Sequence, residues 1–359
     1  MRDLAICLPS TVYCLPRAII PCNMARIAIN GFGRIGRSVL KAAWFDHPNF
    51  EVVAINDMAD APTLAYLLQH DSNYGLWEVP VKAQGANLLI VGGKKIPVSA
   101  EKDPAMLPWR KYAVDVVVES TGLFTAEDKA IAHITAGAKR VVLTAPGKGG
   151  EIPVYVRGVN DHGLKADKHQ IISNASCTTN CVAPVTKVME EAFGIKKAIM
   201  TTVHGYTASQ SLVDGPKKDL REGRAAAENI VPTTTGAAIA VTKTIPELKN
   251  RFDGLSIRVP ISTVSLSDMT FLLKKKVTKE QVNEALVKAS KQANWKGILG
   301  VSFEPLVSSD YRGDTRSAIV DAELTNVVDG DLVKVVAWYD NEWGYSNRLA
   351  ELVLMAAQQ

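Results

Sequence analysis

The sequence holds no uninterrupted apolar run of the roughly 18 residues that a membrane-spanning helix requires. Aromatic residues are scarce, at 6%, and they nowhere interleave with Lys and Arg as they do on a nucleic-acid-binding face. Charge of one sign is barely in excess, with Lys+Arg at 41 against Asp+Glu at 37. That balance argues against a dedicated polyanion binder, yet it would not repel phosphorylated metabolites. Five cysteines, an odd number in 359 residues, do not make a disulfide framework. No cysteine and histidine spacing suits zinc either. There is no internal repeat and no low-complexity tract. What remains is an ordinary globular composition, 47% hydrophobic and 22% charged, in a chain long enough for about two domains.

Residues 1–23 stand apart. They hold three of the five cysteines together with Pro9, Pro16 and Pro21, which interrupt any helix and any continuous core of a signal peptide. Met24 then stands directly before the first clear strand. The segment is expected to be an appended or mis-started stretch, with a cleaved targeting peptide as the weaker alternative.

The centre of the chain is S-N-A-S-C-T-T-N-C, residues 173–181. A short apolar run (Gln170, Ile171, Ile172) precedes it. Val182, Val185, Val188 and Met189 follow at helical spacing, so the stretch reads as strand, turn, helix. Cys177 then falls in the first turn of a helix, where free N–H groups and the dipole favour a thiolate. A cysteine at random is more often a small buried residue. Here the flanks Ser176, Thr178, Thr179 and Asn180 are polar, costly to bury, and suited to an anion at a helix start.

Ahead of this stretch, residues 26–30 form a buried strand followed by G-F-G-R-I-G, with Gly31, Gly33 and Gly36, and a helix expected over 37–45. A lone G-x-G-x-x-G is weak. Between a strand and a helix it is the turn that seats a pyrophosphate on a helix N-terminus. The second strand, 51–55, ends at Asn56 and Asp57. An acid there accepts hydrogen bonds from an adenosine ribose and repels a 2′-phosphate, so NAD is preferred over NADP. A plain turn or cap before the helix at 61–68 is the alternative. Residues 87–91 and 94–98 read as a hairpin through Gly92-Gly93. A strand at 114–119, a helix at 126–136 and a strand at 140–143 continue the alternation, and Ser120-Thr121-Gly122 lies at a strand's carboxyl end. The pattern predicts a doubly wound parallel sheet of Rossmann type.

After the cysteine helix, a strand at 196–203 leads into His204. A lone histidine is more often structural, and spacing alone cannot pair it with Cys177. Thiol chemistry nonetheless needs such a base and oxyanion donor. Residues 209–231 read as a long ordered loop. Thr233-Thr234-Thr235-Gly236 opens a second hydroxyl-rich helix at 237–243. Arg258 lies on a strand at 255–259, where arginine usually faces solvent but is also the natural bidentate phosphate ligand. Strands at 263–273, 318–324 and 332–338, with helices at 277–293 and 347–357, predict a mostly antiparallel sheet covered by helices.

From about Ala25 onward the chain resembles the phosphorylating glyceraldehyde-3-phosphate dehydrogenases. The motifs N-G-F-G-R-I-G-R, A-I-N-D, S-N-A-S-C-T-T-N-C, H-G-Y-T, T-T-G-A-A, R-V-P and W-Y-D-N-E-W-G-Y carry the likeness. The resemblance implies an NAD-binding domain over 24–176, completed by the C-terminal helix 342–359, and an α+β catalytic domain over 177–341. It implies that Cys177 attacks an aldehyde carbon with His204 as base, that a hemithioacetal is oxidised to a thioester, and that inorganic phosphate releases 1,3-bisphosphoglycerate. Thr207 and Arg258 would hold the substrate phosphate. Ser176, Thr178, Thr235 and Gly236 would hold inorganic phosphate. Arg34 and Ile35 match cofactor contacts in the glycine turn, Asp57 the ribose acid, Ser120 a neighbour of the adenosine, and Asn341 the residue orienting the nicotinamide amide. Cys181, one turn after Cys177, is expected to be a buried structural thiol. Met58 and Ala59 after Asp57, with Pro216, fit an NAD-specific enzyme and not the dual-cofactor photosynthetic type. Family members are tetramers whose long loop, here about 209–231, packs at a subunit interface. A reactive thiol also suits a reducing compartment, so the cytosol is expected. Erythrose-4-phosphate dehydrogenase is the nearest rival, and a secondary role as binder or thiol redox sensor is compatible with catalysis.

Overall fold

The computed structural model describes residues 24–149, 151–164 and 168–358. The expected appendage, 1–23, lies outside the described residues. Chain order runs β1 (Ala25–Asn30), α1 (Arg34–Asp46), β2 (Phe50–Asn56), α2 (Ala61–Gln69), the small pair β3 (His70–Asp71) and β4 (Gly75–Leu76), then β5 (Val81–Ala83), β6 (Leu88–Val91) and β7 (Lys94–Ser99). There follow β8 (Val116–Glu119), α3 (Glu127–Thr135), β9 (Arg140–Leu143), β10 (Ile171–Ser173) and α4 (Cys177–Phe193). Next come β11 (Ile195–Gly205), β12 (Val231–Thr233), α5 (Ala237–Thr244), β13 (Phe252–Val259), β14 (Ser265–Leu273) and α6 (Lys279–Ser290). The chain continues with β15 (Leu299–Ser302), β16 (Ala318–Val328), β17 (Leu332–Tyr339) and α7 (Trp343–Ala357).

Two large sheets result. The first has the order β10-β9-β8-β1-β2-β7-β6-β5. It is parallel from β10 to β7 and antiparallel through the two hairpins beyond. Ile27, Ile29, Val116, Val117 and Val118 are fully buried, because helices cover both faces and leave no polar alternation in the strands. The second sheet runs β12-β13-β11-β14-β17-β16-β15. Only β13–β11 and β16–β15 are parallel in it. Burial along β14 alternates strictly, the mark of a sheet packed by helices on one face. That face builds the larger core, with α4, α5 and α6 packed on it. Helix α7 returns to the first core, where Leu349, Leu352 and Val353 pack with Ile27, Val39 and Ile55. No helix among the described residues is long and apolar enough to cross a membrane.

Two helices begin earlier than periodicity suggests. Helix α1 starts at Arg34, with Gly33 as its cap, so Gly36 lies inside the first turn. A Cβ on Gly36 would come within 2.3 Å of the Gly31 carbonyl oxygen, so only glycine lets the turn close this tightly. Helix α7 starts at Trp343, where the Asp340 carboxylate accepts from the N–H groups of Glu342 at 3.0 Å and Trp343 at 2.8 Å. Asp340 lies two residues before the N-cap Glu342 and so takes up free N–H groups at the helix start from outside the helix.

Beneath the carboxyl ends of β1 and β8 lies a dry polar cluster. Trp109 Nε1 donates to His133 Nδ1 at 3.0 Å, so the ring hydrogen sits on Nε2 and points at Glu119 Oε2, 3.0 Å away. Asn30 Nδ2 donates to the same oxygen at 2.6 Å, and the Thr121 N–H to Oε1 at 2.9 Å. Trp109 and His133 are fully buried. Trp109→Phe therefore strands Nδ1 in a dry interior and should cost about 1–3 kcal/mol of stability. Urea unfolding tests this, and a variant as stable as the parent would refute the role given to the indole N–H.

Candidate active site

Strand β10 ends at Ser173, and the chain turns through Ala175, a non-glycine residue at φ +58°, before Ser176 caps α4. The Ser176 hydroxyl accepts from the Thr179 N–H at 3.1 Å. This consumes one of the free donors and leaves Cys177 as the first helical residue. Cys181 is sealed below it, its thiol 3.9 Å from the Ala337 carbonyl, where burial pushes its pKa up. It is a structural thiol, as expected.

His204 closes β11, inside the strand and not after it. Its Nε2 lies 3.4 Å from the Cys177 sulfur. Its Nδ1 lies 2.6 Å from the Gly205 carbonyl oxygen, which can only accept, so the neutral ring carries its hydrogen on Nδ1 and turns a bare Nε2 to the thiol. The parallel pairing of β11 with β13 sets Arg258 beside His204. One guanidinium nitrogen of Arg258, Nη1, donates to the Gly205 carbonyl at 3.4 Å. Its Nε is buried with no hydrogen-bond partner among the described residues. A half-buried cation with a spare, buried donor is prepared for an anion.

The charge state differs from the expectation drawn from helix position alone. Burial pushes the Cys177 thiol up, opposed by the Arg258 charge and by hydrogen bonds from Thr178. Burial, and then Arg258, pull His204 down to about 3. A helix start lowers a thiol's pKa only where water or partners also stabilise the anion, and here desolvation outweighs it. Cys177 is itself half-buried, and the balance of burial against Arg258 and Thr178 favours thiol and neutral imidazole, with the proton transfer poised between them.

The other expected residues fall into two groups. Thr178 is buried, its Oγ1 2.9 Å from the Tyr339 hydroxyl. Asn341 has its amide oxygen held by Ser265 Oγ at 3.0 Å. Thr207 lies just past β11, its hydroxyl 3.1 Å from Ser209 Oγ. Thr235 and Gly236 precede α5, where Thr235 Oγ1 accepts from the Ala237 N–H at 3.1 Å. Thr235 lines a separate hollow of about 680 Å³ with Lys218, Arg221 and Asp253. The structure thus brings Cys177, His204, Arg258 and Thr178 together, while the hydrogen bonds of Thr207 and Thr235 are local.

The second group lines a groove of about 560 Å³, which includes Asn30, Gly31, Gly33, Asp57, Ser120 and Thr121. Gly31 has φ +87°, and a Cβ there would approach the Thr121 nitrogen to 2.7 Å. The Ser120 hydroxyl lies 2.6 Å from the Gly31 carbonyl oxygen. Asp57 accepts from the Phe32 N–H at 2.7 Å and from the Ala59 N–H at 2.9 Å, so it braces the glycine turn as well as facing the groove. Arg34 and Ile35 occupy the first turn of α1, which has no side-chain cap. The Arg34 side chain turns away, pairing with Asp71 at 2.8 Å and with Glu342, the residue after Asn341, at 2.5 Å. Tyr339, Ser265, Glu342 and the Glu119 cluster have no part in the reading from sequence. Tyr339 and Glu342 stand inside W-Y-D-N-E-W-G-Y and were visible as motif letters, but their partners come from elsewhere in the fold.

The chain is similar to known proteins over most of its length. A family model described as glyceraldehyde 3-phosphate dehydrogenase, NAD binding domain, matches residues 25–127, and one for the C-terminal domain of the same family matches residues 176–341. The chain is 52% identical over 334 residues to glyceraldehyde-3-phosphate dehydrogenase 1 of Bacillus subtilis, covering 93% of this chain and 98% of that one. It is similar to the same degree and extent to glyceraldehyde-3-phosphate dehydrogenase of Geobacillus stearothermophilus. With that of Priestia megaterium it shares 53% over 327 residues, 91% of this chain and 96% of the relative.

Proposed function

The chain belongs to the glyceraldehyde 3-phosphate dehydrogenase family, and from that premise we infer how its residues carry the reaction. It is an NAD-dependent oxidoreductase of glycolysis and gluconeogenesis. It converts D-glyceraldehyde 3-phosphate and inorganic phosphate to 1,3-bisphosphoglycerate through a cysteine hemithioacetal and thioester. The observation that carries the assignment of roles is the 3.4 Å contact of Cys177 Sγ with His204 Nε2 beside Arg258.

The groove fits the cofactor. Gly31 and Gly36 let the turn close on Thr121 and on itself, while the space beside Gly33 is open, so a pyrophosphate could approach the uncapped start of α1 at Arg34 and Ile35. Asp57 would offer its remaining lone pairs to a ribose and repel a 2′-phosphate, Ser120 would hold the adenosine side, and Asn341, its amide oxygen taken by Ser265, would have its NH₂ free for the nicotinamide amide. Bound there, NAD+ supplies a hydride acceptor. Every other step belongs to this chain's side chains.

Arg258 and Thr207 hold the substrate phosphate and so fix the aldehyde carbon over the sulfur. As the C–S bond forms, the thiol proton passes to His204 Nε2, and the same nitrogen then donates to the developing oxyanion. His204 takes the hydroxyl proton back as hydride departs, which leaves an acyl group on Cys177. Ser176, Thr178, Thr235 and Gly236 hold inorganic phosphate, whose oxygen attacks the thioester carbon. The C–S bond breaks, and the sulfur recovers its proton from His204. Holding the acid as a thioester retains the free energy of oxidation that direct hydration would dissipate.

We also place the boundary between the cofactor-binding part (24–176 with 342–359) and the catalytic part (177–341) at the start of α4, which the return of α7 to the first core supports. A homotetramer in the cytosol is the assembly and compartment that fit best. The long loop turns Leu212, Val213, Leu220 and Ile230 outward, an apolar surface suited to cover by a second copy. The deciding assay is NAD reduction with glyceraldehyde 3-phosphate, run with and without inorganic phosphate, with NADP and with erythrose 4-phosphate in parallel. Turnover should need phosphate and favour NAD by at least about 100-fold, since a 2′-phosphate facing the Asp57 carboxylate would cost several kcal/mol. Dominant four-carbon turnover indifferent to phosphate would overturn the substrate assignment.

A further inference from the structure

Three buried hydroxyls run inward from the site in single file. Thr178 Oγ1 is 2.9 Å from the Tyr339 hydroxyl. Tyr339 is 2.7 Å from Thr202 Oγ1. Thr202 is 3.2 Å from the Leu266 carbonyl oxygen. Thr202 stands two residues before His204 on β11, on the same face of the strand, and the Tyr339 ring meets His204 edge-on at 6.0 Å. Burial holds the Tyr339 phenol in its protonated form. Each hydroxyl therefore has one hydrogen to give.

A carbonyl can only accept. When Thr202 donates to Leu266, Thr202 must accept from Tyr339, and Tyr339 from Thr178. The Thr178 hydrogen then points inward and its lone pairs face the site, the wrong polarity for an oxyanion. In the opposite sense Thr202 donates to Tyr339 and Tyr339 to Thr178, and the Thr178 hydrogen points outward. Reversal gives up one bond to Leu266 and gains a charge-assisted bond to an anion.

We propose that Thr178, Tyr339 and Thr202 form a reversible hydroxyl chain that turns the Thr178 hydrogen outward when inorganic phosphate enters to cleave the thioester. The proposal rests on the assignment of Thr178 to inorganic phosphate. Tyr339 and Thr202 are positioning residues in it, acting on the ligand only through Thr178. With no anion present the inward sense leaves all three hydrogens donated inside the chain, ending on the Leu266 carbonyl, and a ligand shifts such an equilibrium by its preference between the two senses.

The test separates acylation from phosphorolysis. Thr202→Val removes the inward sink, leaving the Tyr339 hydrogen to Thr178 alone. The KM for inorganic phosphate should fall about threefold, the worth of one neutral hydrogen bond, while the phosphate-independent burst of NAD reduction moves by a smaller factor. Thr202→Ser keeps the hydroxyl and should match the parent. In a Tyr339→Phe background no chain exists, so adding Thr202→Val should leave the phosphate KM where that background sets it. Should Thr202→Val not fold, Thr202→Ala removes the same hydroxyl and carries the same expectation. A raised phosphate KM in Thr202→Val, an equal shift of burst and phosphate KM, a serine variant that behaves like valine, or an effect persisting without the phenol would each overturn the chain. So would faster alkylation of Cys177 with no change in phosphate KM, which would send the hydrogen to the sulfur. Thr178→Val tells the two assignments apart: its phosphate KM should rise, and no rise would unseat the phosphate site itself and the chain with it.

Discussion

Cys177→Ser should abolish phosphate-dependent NAD reduction, with a loss of about 10⁴-fold or more, as removal of a covalent nucleophile does in other enzymes. A serine hydroxyl is a far weaker acid than a thiol, and the lone His204 base, itself pulled down to about 3, cannot make an alkoxide of it. The groove proposed for NAD is lined by Gly31, Gly33, Asp57, Ser120 and Thr121, with Cys177 not among its lining residues. Cofactor binding, followed by calorimetric titration, should therefore be nearly that of the parent. Appreciable oxidation of the aldehyde by the variant would remove Cys177 from the mechanism.

Arg258→Ala should act twice. In the proposed role the guanidinium brings donors to the substrate phosphate, and charge-assisted hydrogen bonds contribute about 1.5–3 kcal/mol each, so kcat/KM for glyceraldehyde 3-phosphate should fall by about 10²–10³-fold. The same charge pulls down both Cys177 and His204. Without it the imidazole pKa rises toward its ordinary value and the thiol pKa rises further. The thiolate form is populated above the thiol pKa, so the rate of Cys177 alkylation by iodoacetamide, a neutral reagent, should climb at a higher pH than in the parent. Arg258→Lys separates the two roles: it restores the charge and the alkylation profile but not the forked donor geometry, so the kcat/KM defect should largely remain. An alkylation profile that stays put in Arg258→Ala would show that this charge does not reach the sulfur.

The parts of the fold legible in the sequence were those written in local pattern. The doubly wound sheet was visible because β1, β2, β8 and β9 are short runs buried on both faces, separated by helical spacing. The mostly antiparallel second sheet was legible from the succession of late strands at 263–273, 318–324 and 332–338, while the alternation of β14 shows in its burial and not in its letters. The starts of α1 and α7 were not, for the same reason in each case. Glycine in the first turn of α1 carries no helix signal, and Asp340 takes up free N–H groups at the start of α7 from a position that reads as part of a strand and turn. At the site, types and spacing nominated Cys177, His204, Thr178 and Arg258, but only the register of β11 against β13 brings histidine and arginine side by side. The inward run through Tyr339 and Thr202 spans three distant elements and was invisible in the linear order. The thiol's charge state also lay out of reach. Helix position argued for an anion, and the degree of burial, a property of the whole fold, decided the other way.

The polypeptide passes from the first core to the second at β10 and α4, and returns at β17 and α7. Cys177 opens the outward passage and packs against both cores. Asn341 sits on the homeward one, and the Tyr345 hydroxyl reaches across to the Ala175 carbonyl oxygen at 3.3 Å. These two passages thus meet beside the proposed reacting centre. The sulfur therefore stands on the seam of the two cores, where a repacking of either is felt at the reacting atom.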